Sequence, residues 1–425
     1  MIMKFKLLLI SLFAGIFSLA AQTDIREAIK ANPDIAGSIY SSYHCDATAE
    51  EPAPKGYKPF YISHYGRHGS RWHSRDSLYV VTLKYFEDAA AADALTDLGR
   101  DVYGRMKVLY ADAAGRAGQL SPKGVAEHRG IAERMYRNYP EVFASSPKRR
   151  CRIEARSTLV PRCLMSMTSF CERLKELDPS IEINREIGKR YLPFMFSVKN
   201  MNAVRPASQA DADRWIDGHI RTDRFISSLF KADYAASLRN PKFLMRNMYR
   251  MSCITQDVDY LGLSFHDLFT EEELFSLWSG YNVQSYLTYG PSAKYGDAMM
   301  ADAAALLKHI IGDADEVIAS GGRAAFLRFG HDVNVVPLVS LLGVEGKCAR
   351  VTNDNLENLH EYWCDTYITP MATNVQFVFY RNKSGEVIVK VLHNEGVCRL
   401  PFDTDIFPYY RWDDFRKYYM MKMSE

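Results

Sequence analysis

One stretch decides the fold: Pro59-Phe-Tyr-Ile-Ser-His-Tyr-Gly-Arg-His-Gly-Ser-Arg71. Its first half is short, aromatic and β-branched, which is typical of a buried strand. Its second half places Arg67 and Arg71 on either side of His68, directly after that strand. Gly69 allows the backbone a tight turn there. The stretch therefore predicts a strand that delivers one histidine and two arginines to an edge of a sheet.

Strand and helix patterns alternate on both sides of this stretch, which predicts an α/β core with a central sheet flanked by helices. In such sheets, ligands bind at the carboxyl ends of the strands. One helix start is marked by Ser121 as cap and Pro122 in the first turn. The predicted helices are Asp76–Ala92, Thr96–Ala114, Pro122–Tyr139, Val160–Leu177 and Val333–Leu342, and the further predicted strands are Cys151–Ser157, Arg323–Phe329 and a hairpin of residues 374–381 and 386–393.

The length of the chain favours one large domain with an insertion, or two domains. Residues 196–300 are helical, aromatic and Met-rich without obvious strand patterns, so they are predicted to form a mainly helical cap inserted into the core. The first part of the α/β core then spans residues 22–195 and the second part residues 301–425.

The amino terminus has the pattern of a secretory signal. It carries Lys4 and Lys6, then a largely apolar run of 15 residues from Leu7 to Ala21, ending in small residues. A bilayer span needs roughly 20 apolar residues, so a signal peptide at residues 1–21 is favoured over a retained anchor. We therefore expect an exported protein, periplasmic or extracellular, with no integral membrane segment after the signal is removed.

Charge and cysteine content exclude several classes of function. Without Lys4 and Lys6, 51 basic residues remain against 51 acidic ones, which gives no reason to expect nucleic acid or membrane-surface binding. The eight cysteines show no zinc-site spacing, so disulfides, which export would permit, or buried thiols are both open. The sequence also contains neither a P-loop nor the HExxH motif of metalloproteases. We expect no metal and no organic cofactor.

The residues Arg67-His68-Gly-Ser-Arg71 suit the chemistry of a phosphate monoester. Planar guanidinium groups match phosphate oxygens and cancel their charge, and a neutral imidazole held among them can attack phosphorus. A solvated surface loop is the alternative for an isolated motif of this kind. Of the neighbouring histidines, His64 is expected to pack in the core and His73 to face solvent in a loop.

A second motif, Gly330-His331-Asp332-Val333-Asn334, follows the later predicted strand and opens a helix whose amino end would face the same place. His331 can donate a hydrogen bond to phosphate. A protonated Asp332 can protonate the departing alkoxide and then, as a carboxylate, activate water. The alternative is that Asp332 merely caps the helix.

Together the two motifs resemble the histidine acid phosphatases, the branch of the histidine phosphatase superfamily that includes phytases and multiple inositol polyphosphate phosphatases. The resemblance implies a phosphoglycerate-mutase-like core, with His68 as nucleophile and Asp332 as proton donor. A third element, Ser157-Thr-Leu-Val-Pro-Arg162 with Ser166 following, looks like the family's further phosphate contact. The implied phosphate-binding residues are Arg67, Arg71, Arg162 and His331.

The resemblance points to a small-molecule phosphate ester, with inositol polyphosphates first, but it leaves alternatives open. Trp72-His73 replaces the proline of the family motif, and the His-Asp pair is the form of phytases rather than the His-Ala-Glu typical of the inositol polyphosphate branch. A broad-specificity acid phosphatase acting on sugar or nucleotide phosphates, a non-catalytic phosphate-ester binding protein and a mutase are the other candidates. The sequence sets neither the disulfide map nor the oligomeric state, nor whether the basic loop Lys148, Arg149, Arg150 and Arg152 binds substrate.

Overall fold

The computed structural model describes residues 24–46, 52–145 and 150–424. The predicted signal peptide, residues 1–21, lies outside these ranges. The strands of the described ranges join in one sheet. They are β1 Lys58–Arg67, β2 Arg152–Ser157, β3 Glu182–Ile187, β4 Ala325–Gly330, β5 Asn374–Arg381, β6 Val387–His393, β7 Gly396–Val397 and β8 Tyr409–Arg411.

The sheet is mixed, with strand order β3-β2-β4-β1-β5-β6-β7 and β8 beside β6. β1, β4, β2 and β3 run parallel, whereas β5 to β8 pair antiparallel. Arg67 is in register with Gly330, and Ser157 with Phe329. The carboxyl ends of β1, β4 and β2 therefore meet at one edge, as the ends of neighbouring parallel strands must.

The helices cover both faces of the sheet and build a separate apolar cluster beside it. In the described ranges, 3-10 turns lie at Pro33–Tyr40, Lys189–Tyr191, Gln256–Leu261, His266–Leu268 and Asn353–Glu361. The α-helices are α1 Ile25–Ala31, α2 Ser77–Ala91, α3 Asp97–Ala113, α4 Pro122–Asn138, α5 Pro140–Phe143, α6 Pro161–Leu177, α7 Leu192–Met195, α8 Lys199–His219, α9 Asp223–Leu229, α10 Ala232–Ser237, α11 Pro241–Thr255, α12 Glu271–Tyr289, α13 Gly296–Ser320, α14 Asp332–Leu342, α15 Asp365–Ile368 and α16 Trp412–Lys422.

Helix α4 shows how local sequence sets these elements. The hydroxyl of Ser121 accepts a hydrogen bond from the amide of Gly124 at 3.3 Å, and Pro122 occupies the first turn, as predicted. Ile131 and Met135 then recur at helical spacing and are buried against one face of the sheet together with Phe170 of α6. Each such side chain contributes about 1.5–3 kcal/mol through burial. Helices α13, α14 and α16 cover the opposite face.

The predicted α/β fold is confirmed, and the strands and helices predicted from the sequence are present within about two residues of their expected ends. The strand Glu182–Ile187 was missed because it is an edge strand with partly exposed, charged residues and lacks the apolar alternation that marks a half-buried strand. Residues 188–324 supply helices and no strand to the sheet. The division into core and cap stays a prediction.

Two further expectations concern the membrane and the cysteines. Across the described ranges, no helix combines the length and the apolar character that a bilayer span requires. Five of the buried cysteines are thiols packed among other side chains, so for them the second of the two alternatives applies. They are Cys163, Cys171, Cys253, Cys364 and Cys398.

Candidate active site

The two predicted motifs meet at the carboxyl edge of the sheet. The backbone amide of His68 donates to the carbonyl of Gly330 at 3.0 Å, because β1 and β4 are adjacent, parallel and in register at their last residues. The rings of His68 and His331 consequently lie 5.7 Å apart, nearly perpendicular to each other. One loop after each strand thus contributes a histidine to the same hollow.

His68 is a buried, neutral imidazole. Its Nδ1 lies 3.0 Å from the carbonyl oxygen of Gly69. A carbonyl can only accept, so Nδ1 carries the proton and Nε2 carries the lone pair. Burial, together with the charges of Arg162, Arg67 and Arg71, holds the pKa of His68 well below its usual value of 6.5. The ring is therefore in the nucleophilic state over the neutral and mildly acidic range.

Arg67 is completely buried and joins three parts of the chain. Its Nη1 donates to the carbonyls of Ile39, at 2.7 Å, and Thr369, at 2.8 Å. Its Nη2 lies 3.1 Å from Oδ2 of Asp332. These contacts fix the guanidinium plane between the nucleophile and the second motif, which preorganises a charge where a phosphate would lie.

At this site, three buried guanidinium nitrogens have no partner within the described residues: Nε of Arg67, Nε of Arg71 and Nε of Arg162. Arg71 donates from Nη1 to the carbonyl of Trp72 at 3.0 Å. Burial and the nearby charge of Arg71 lower the pKa of Arg162, which shows how closely the cations are crowded. What distinguishes this place is that three arginines lie close enough to His68 for their charges to act on it together, which suits an anion.

His331 lies beside this hollow on the start of α14. Thr158 Oγ1 is 3.1 Å from its Nε2 and the sulfur of Cys163 is 3.6 Å from the same atom. The ring of Phe196 packs against it at 4.9 Å. Burial and the charge of Arg162 lower the pKa of His331 to about 4. A neutral His331 can still donate one N–H to a phosphate oxygen.

Asp332 is ionised in the free site. Burial alone would raise its pKa, but the charges of Arg67, His331 and Arg71 outweigh burial and lower it. Its Oδ1 also accepts from the amide of Val333 at 3.0 Å, so the helix-end contact and the ion pair coexist. An acid role for Asp332 therefore requires an incoming phosphate anion, which would raise the pKa of the carboxyl group.

The structure brings the six sequence-predicted site residues close together at this edge of the sheet and corrects one expectation nearby. His73 is fully buried, with its Nε2 3.1 Å from the carbonyl of Arg250, and so it does not face solvent. Arg150 and Arg152 of the basic loop form ion pairs with Glu182, the first residue of β3. Arg152 begins β2, so this pair lies roughly 17 Å of strand from the site edge. Lys148 and Arg149 lie outside the described residues.

Sequence reasoning missed two buried carboxylates behind the first motif, Glu127 and Asp257. Both lie on segments that read as ordinary amphipathic surface, and no local pattern reveals that they face the loop. His64, by contrast, packs between Phe170 and Phe329 as expected, and burial lowers its pKa to about 3. Within the described ranges, no three His, Cys, Asp or Glu side chains are grouped as metal ligands would be.

Comparison with known proteins gives one family and several related folds. The family model described as histidine phosphatase superfamily (branch 2) matches residues 111–394, about two thirds of the chain. No curated protein matches the sequence.

Among solved structures, the chain is similar to the multiple inositol polyphosphate phosphatase of Bifidobacterium longum. With phosphate bound, that structure gives a TM-score of 0.81 at 18% identity, covering 91% of this chain and 98% of that one. Its complex with inositol hexasulfate gives 0.79 at 18%, covering 90% and 96%. A phytase from D. castellii gives 0.72 at 14%, covering 92% and 85%. The shared feature is the fold.

Proposed function

The chain belongs to branch 2 of the histidine phosphatase superfamily, and from this premise we propose that it hydrolyses inositol polyphosphates through a phosphohistidine formed on His68. As a member of this family the chain is a phosphatase. The observation that carries the proposal is the buried neutral ring of His68, with Arg67 fixed 3.1 Å from the carboxylate of Asp332. Nucleophile, phosphate cradle and acid then share one hollow.

In the first half-reaction, Nε2 of His68 attacks phosphorus in line while Arg67, Arg71 and Arg162 neutralise the phosphoryl oxygens. The N–P bond forms and the ester P–O bond breaks. The phosphate dianion first raises the pKa of Asp332, so that the carboxyl group holds a proton to give to the departing alkoxide.

In the second half-reaction, the carboxylate of Asp332 takes a proton from water, and the water oxygen attacks phosphorus. The O–P bond forms, the N–P bond breaks, and His68 returns to its neutral state. Inorganic phosphate leaves with Asp332 again protonated until the anion departs. Each group that changes protonation is restored within one turnover.

The choice of a polyphosphate rests on further cations beside the hollow. Arg205 and Arg250 form no ion pair within the described residues, whereas most arginines of the neighbouring helices do. Burial and the charge of Asp332 raise the pKa of Tyr289 to about 12, and the charge of Arg205 opposes that shift, so both Asp332 and Arg205 lie near Tyr289. A substrate with several phosphates can use such cations. The inositol hexasulfate complex of the B. longum enzyme agrees with this substrate class.

The test is phosphate release from inositol hexakisphosphate compared with sugar and aryl phosphates, all in the presence of a chelator. We expect the lowest KM for inositol hexakisphosphate and no loss of rate with chelator. Equal kcat/KM values for all three would favour a broad-specificity acid phosphatase, and no turnover would favour a binding protein.

The cations can be tested separately with Arg205→Ala and Arg250→Ala. A charge-assisted hydrogen bond contributes about 1.5–3 kcal/mol, so each variant should raise KM for inositol hexakisphosphate roughly 10- to 100-fold and leave the aryl phosphate KM unchanged. Arg246→Ala is the matched control, because Arg246 lies one turn away on α11 and already pairs with Asp213 at 3.2 Å.

Export is the remaining part of the proposal. The basic and apolar pattern of residues 1–21 supports a signal peptide whose removal leaves the catalytic chain outside the cytoplasm. Expression of the full chain followed by amino-terminal sequencing of the mature protein tests this. Cleavage close to residue 21, with the protein outside the cytoplasm, is expected, and an intact Met1 on a cytoplasmic protein would contradict it.

A further inference from the structure

The loop after β1 turns its backbone amides away from the anion site. The amide of Gly69 donates to Ser166 Oγ at 3.2 Å and the amide of Ser70 donates to Glu127 Oε2 at 2.7 Å. The amide of Arg71 points toward Asp257 Oδ2 at 3.5 Å. The loop therefore cannot cradle phosphate with its main chain, as a P-loop does. It has to bind phosphate through its side chains. The contacts that hold the loop backbone therefore determine how those side chains are oriented.

Glu127 makes most of the contacts that fix it. One carboxylate oxygen accepts from the amide of Ser70, and the other accepts from the Ser70 hydroxyl, at 2.7 Å, and from the amide of Tyr43, at 2.9 Å. The side chain is buried and no cation forms an ion pair with it within the described residues. A carboxylate buried with three donors and no cation is held by geometry rather than by charge neutralisation.

The backbones of the loop and of α4 are also in close contact, so the loop cannot move without a change in α4. A Cβ on Gly69 would lie 2.7 Å from Gly124 Cα, and a Cβ on Gly124 would lie 2.3 Å from the carbonyl oxygen of Ser70. The carbonyl of Ser70 in turn accepts from the amide of Ser121 at 2.9 Å. The first turn of α4 is thus the rigid surface on which the loop rests, and Glu127 is the carboxylate of that surface.

A second carboxyl group supports the same arrangement. Asp257 is fully buried beside the loop, and burial and the charge of Glu127 hold its pKa well above the usual value. Burial raises the pKa of Glu127 as well, and the hydrogen bonds from Tyr43 and Ser70 oppose that rise. Two full negative charges are therefore disfavoured in this buried site.

We propose that Glu127 is a positioning residue that holds Ser70 so that His68 and Arg71, on either side of it in the loop, face the same phosphate. This inference rests on the proposed function, since it concerns the orientation of His68 as the proposed nucleophile. Glu127 contacts no reacting atom and acts only through the loop. Its loss should change the rate more than the stability, because a misplacement of about 1 Å can cost on the order of 100-fold.

The test is Glu127→Gln. The substitution keeps the volume and one acceptor oxygen, but it replaces the other oxygen by an NH2 group, which cannot accept a hydrogen bond. We expect kcat/KM for an aryl phosphate to fall on the order of 100-fold, mainly through kcat, in protein that remains folded. Glu395→Gln is the matched control. Glu395 is also buried and binds the Tyr43 hydroxyl at 2.8 Å and Arg134, but it does not contact the loop.

The control should lose thermal stability and keep the wild-type kcat/KM. A Glu127→Gln protein with kcat/KM within threefold of wild type would overturn the proposal. If that variant does not fold, Glu127→Asp decides: a folded but slow Glu127→Asp protein supports positioning, and a wild-type rate contradicts it. A wild-type chain without phosphatase activity dependent on His68 would instead refute the proposed function and is measured first.

Discussion

Arg67 places its Nη2 atom 3.1 Å from Oδ2 of Asp332, although the two residues belong to motifs near opposite ends of the chain. The contact exists because β1 and β4 end side by side, with Arg67 in register with Gly330. It explains why the free carboxyl group is ionised, and it makes the acid role conditional on phosphate. A dianion that attracts Arg67 weakens its hold on Asp332 and raises the pKa of that residue.

Asp332→Asn should slow substrates according to their leaving groups. Alkyl and inositol phosphates need a proton on the departing oxygen, so their kcat should fall on the order of 100- to 10,000-fold, whereas a good aryl leaving group needs little help. Inhibition by inorganic phosphate should persist. Steady-state kinetics with an alkyl and an aryl phosphate measures this, and equal slowing of both would count against an acid role.

Arg162→Ala should weaken phosphate binding. The side chain is partly buried beside Arg71, and its Nε has no partner within the described residues. Loss of a charge-assisted contact should raise the Ki of inorganic phosphate roughly 10- to 100-fold. Arg173→Ala on the same helix is the control, because Arg173 pairs with Glu133 and Glu176 on the surface. Equal Ki values for the two variants would show that Arg162 does not bind phosphate.

The folded protein should lose stability as the pH falls from about 6.5 toward 4. Burial lowers the pKa of six histidines, so the unfolded chain binds more protons than the folded chain in this range. Each such group lowers the free energy of unfolding by up to about 1.4 kcal/mol per pH unit below its unfolded pKa. The six are His64, His68, His73, His128, His331 and His393.

Denaturant unfolding at several pH values measures this slope. His64→Leu removes one of the six groups from an apolar site between Phe170 and Phe329 and should make the slope shallower. Equal slopes for the wild type and His64→Leu would show that His64 is not held neutral in the folded protein.

Gly124→Ala should disturb the site by displacing the loop after β1, although Gly124 itself lies outside the site. The new Cβ would lie 2.3 Å from the carbonyl oxygen of Ser70, a backbone atom that cannot swing aside. Both Tm and kcat/KM should fall. Gly130→Ala on the same helix meets only the flexible end of Arg134, at 3.1 Å, and should raise stability by up to about 1 kcal/mol. A fully active Gly124→Ala protein would show that the loop can move without loss of function.

The sequence predicted the core of the sheet because its buried strands are short apolar runs directly followed by the two motifs. It predicted that the two motifs meet because each loop follows the end of its strand, and Arg67 and Gly330 are neighbours once β1 and β4 pair. The edge strand β3 was missed for lack of apolar alternation.

Tertiary contacts account for the remaining differences. Glu127 follows the helical pattern of a surface residue, and only the packing of α4 under the loop buries it. His73 looks like a loop residue until Tyr40 and Tyr79 pack around it. Ser70, which contacts Glu127, and Tyr40, which contacts His73, lie far from them in the sequence, where periodicity carries no information.

The central claim, a covalent phosphohistidine on His68, is tested most directly by acid-free rapid quench of the enzyme with a radiolabelled phosphate ester, followed by peptide mapping. Because Asp332→Asn should hydrolyse the phosphohistidine slowly, the intermediate should accumulate in this variant when an aryl phosphate is the substrate. The account predicts an acid-labile, base-stable label on the peptide that contains His68, and no label in His68→Ala. Label on another residue, or turnover in His68→Ala, would contradict it.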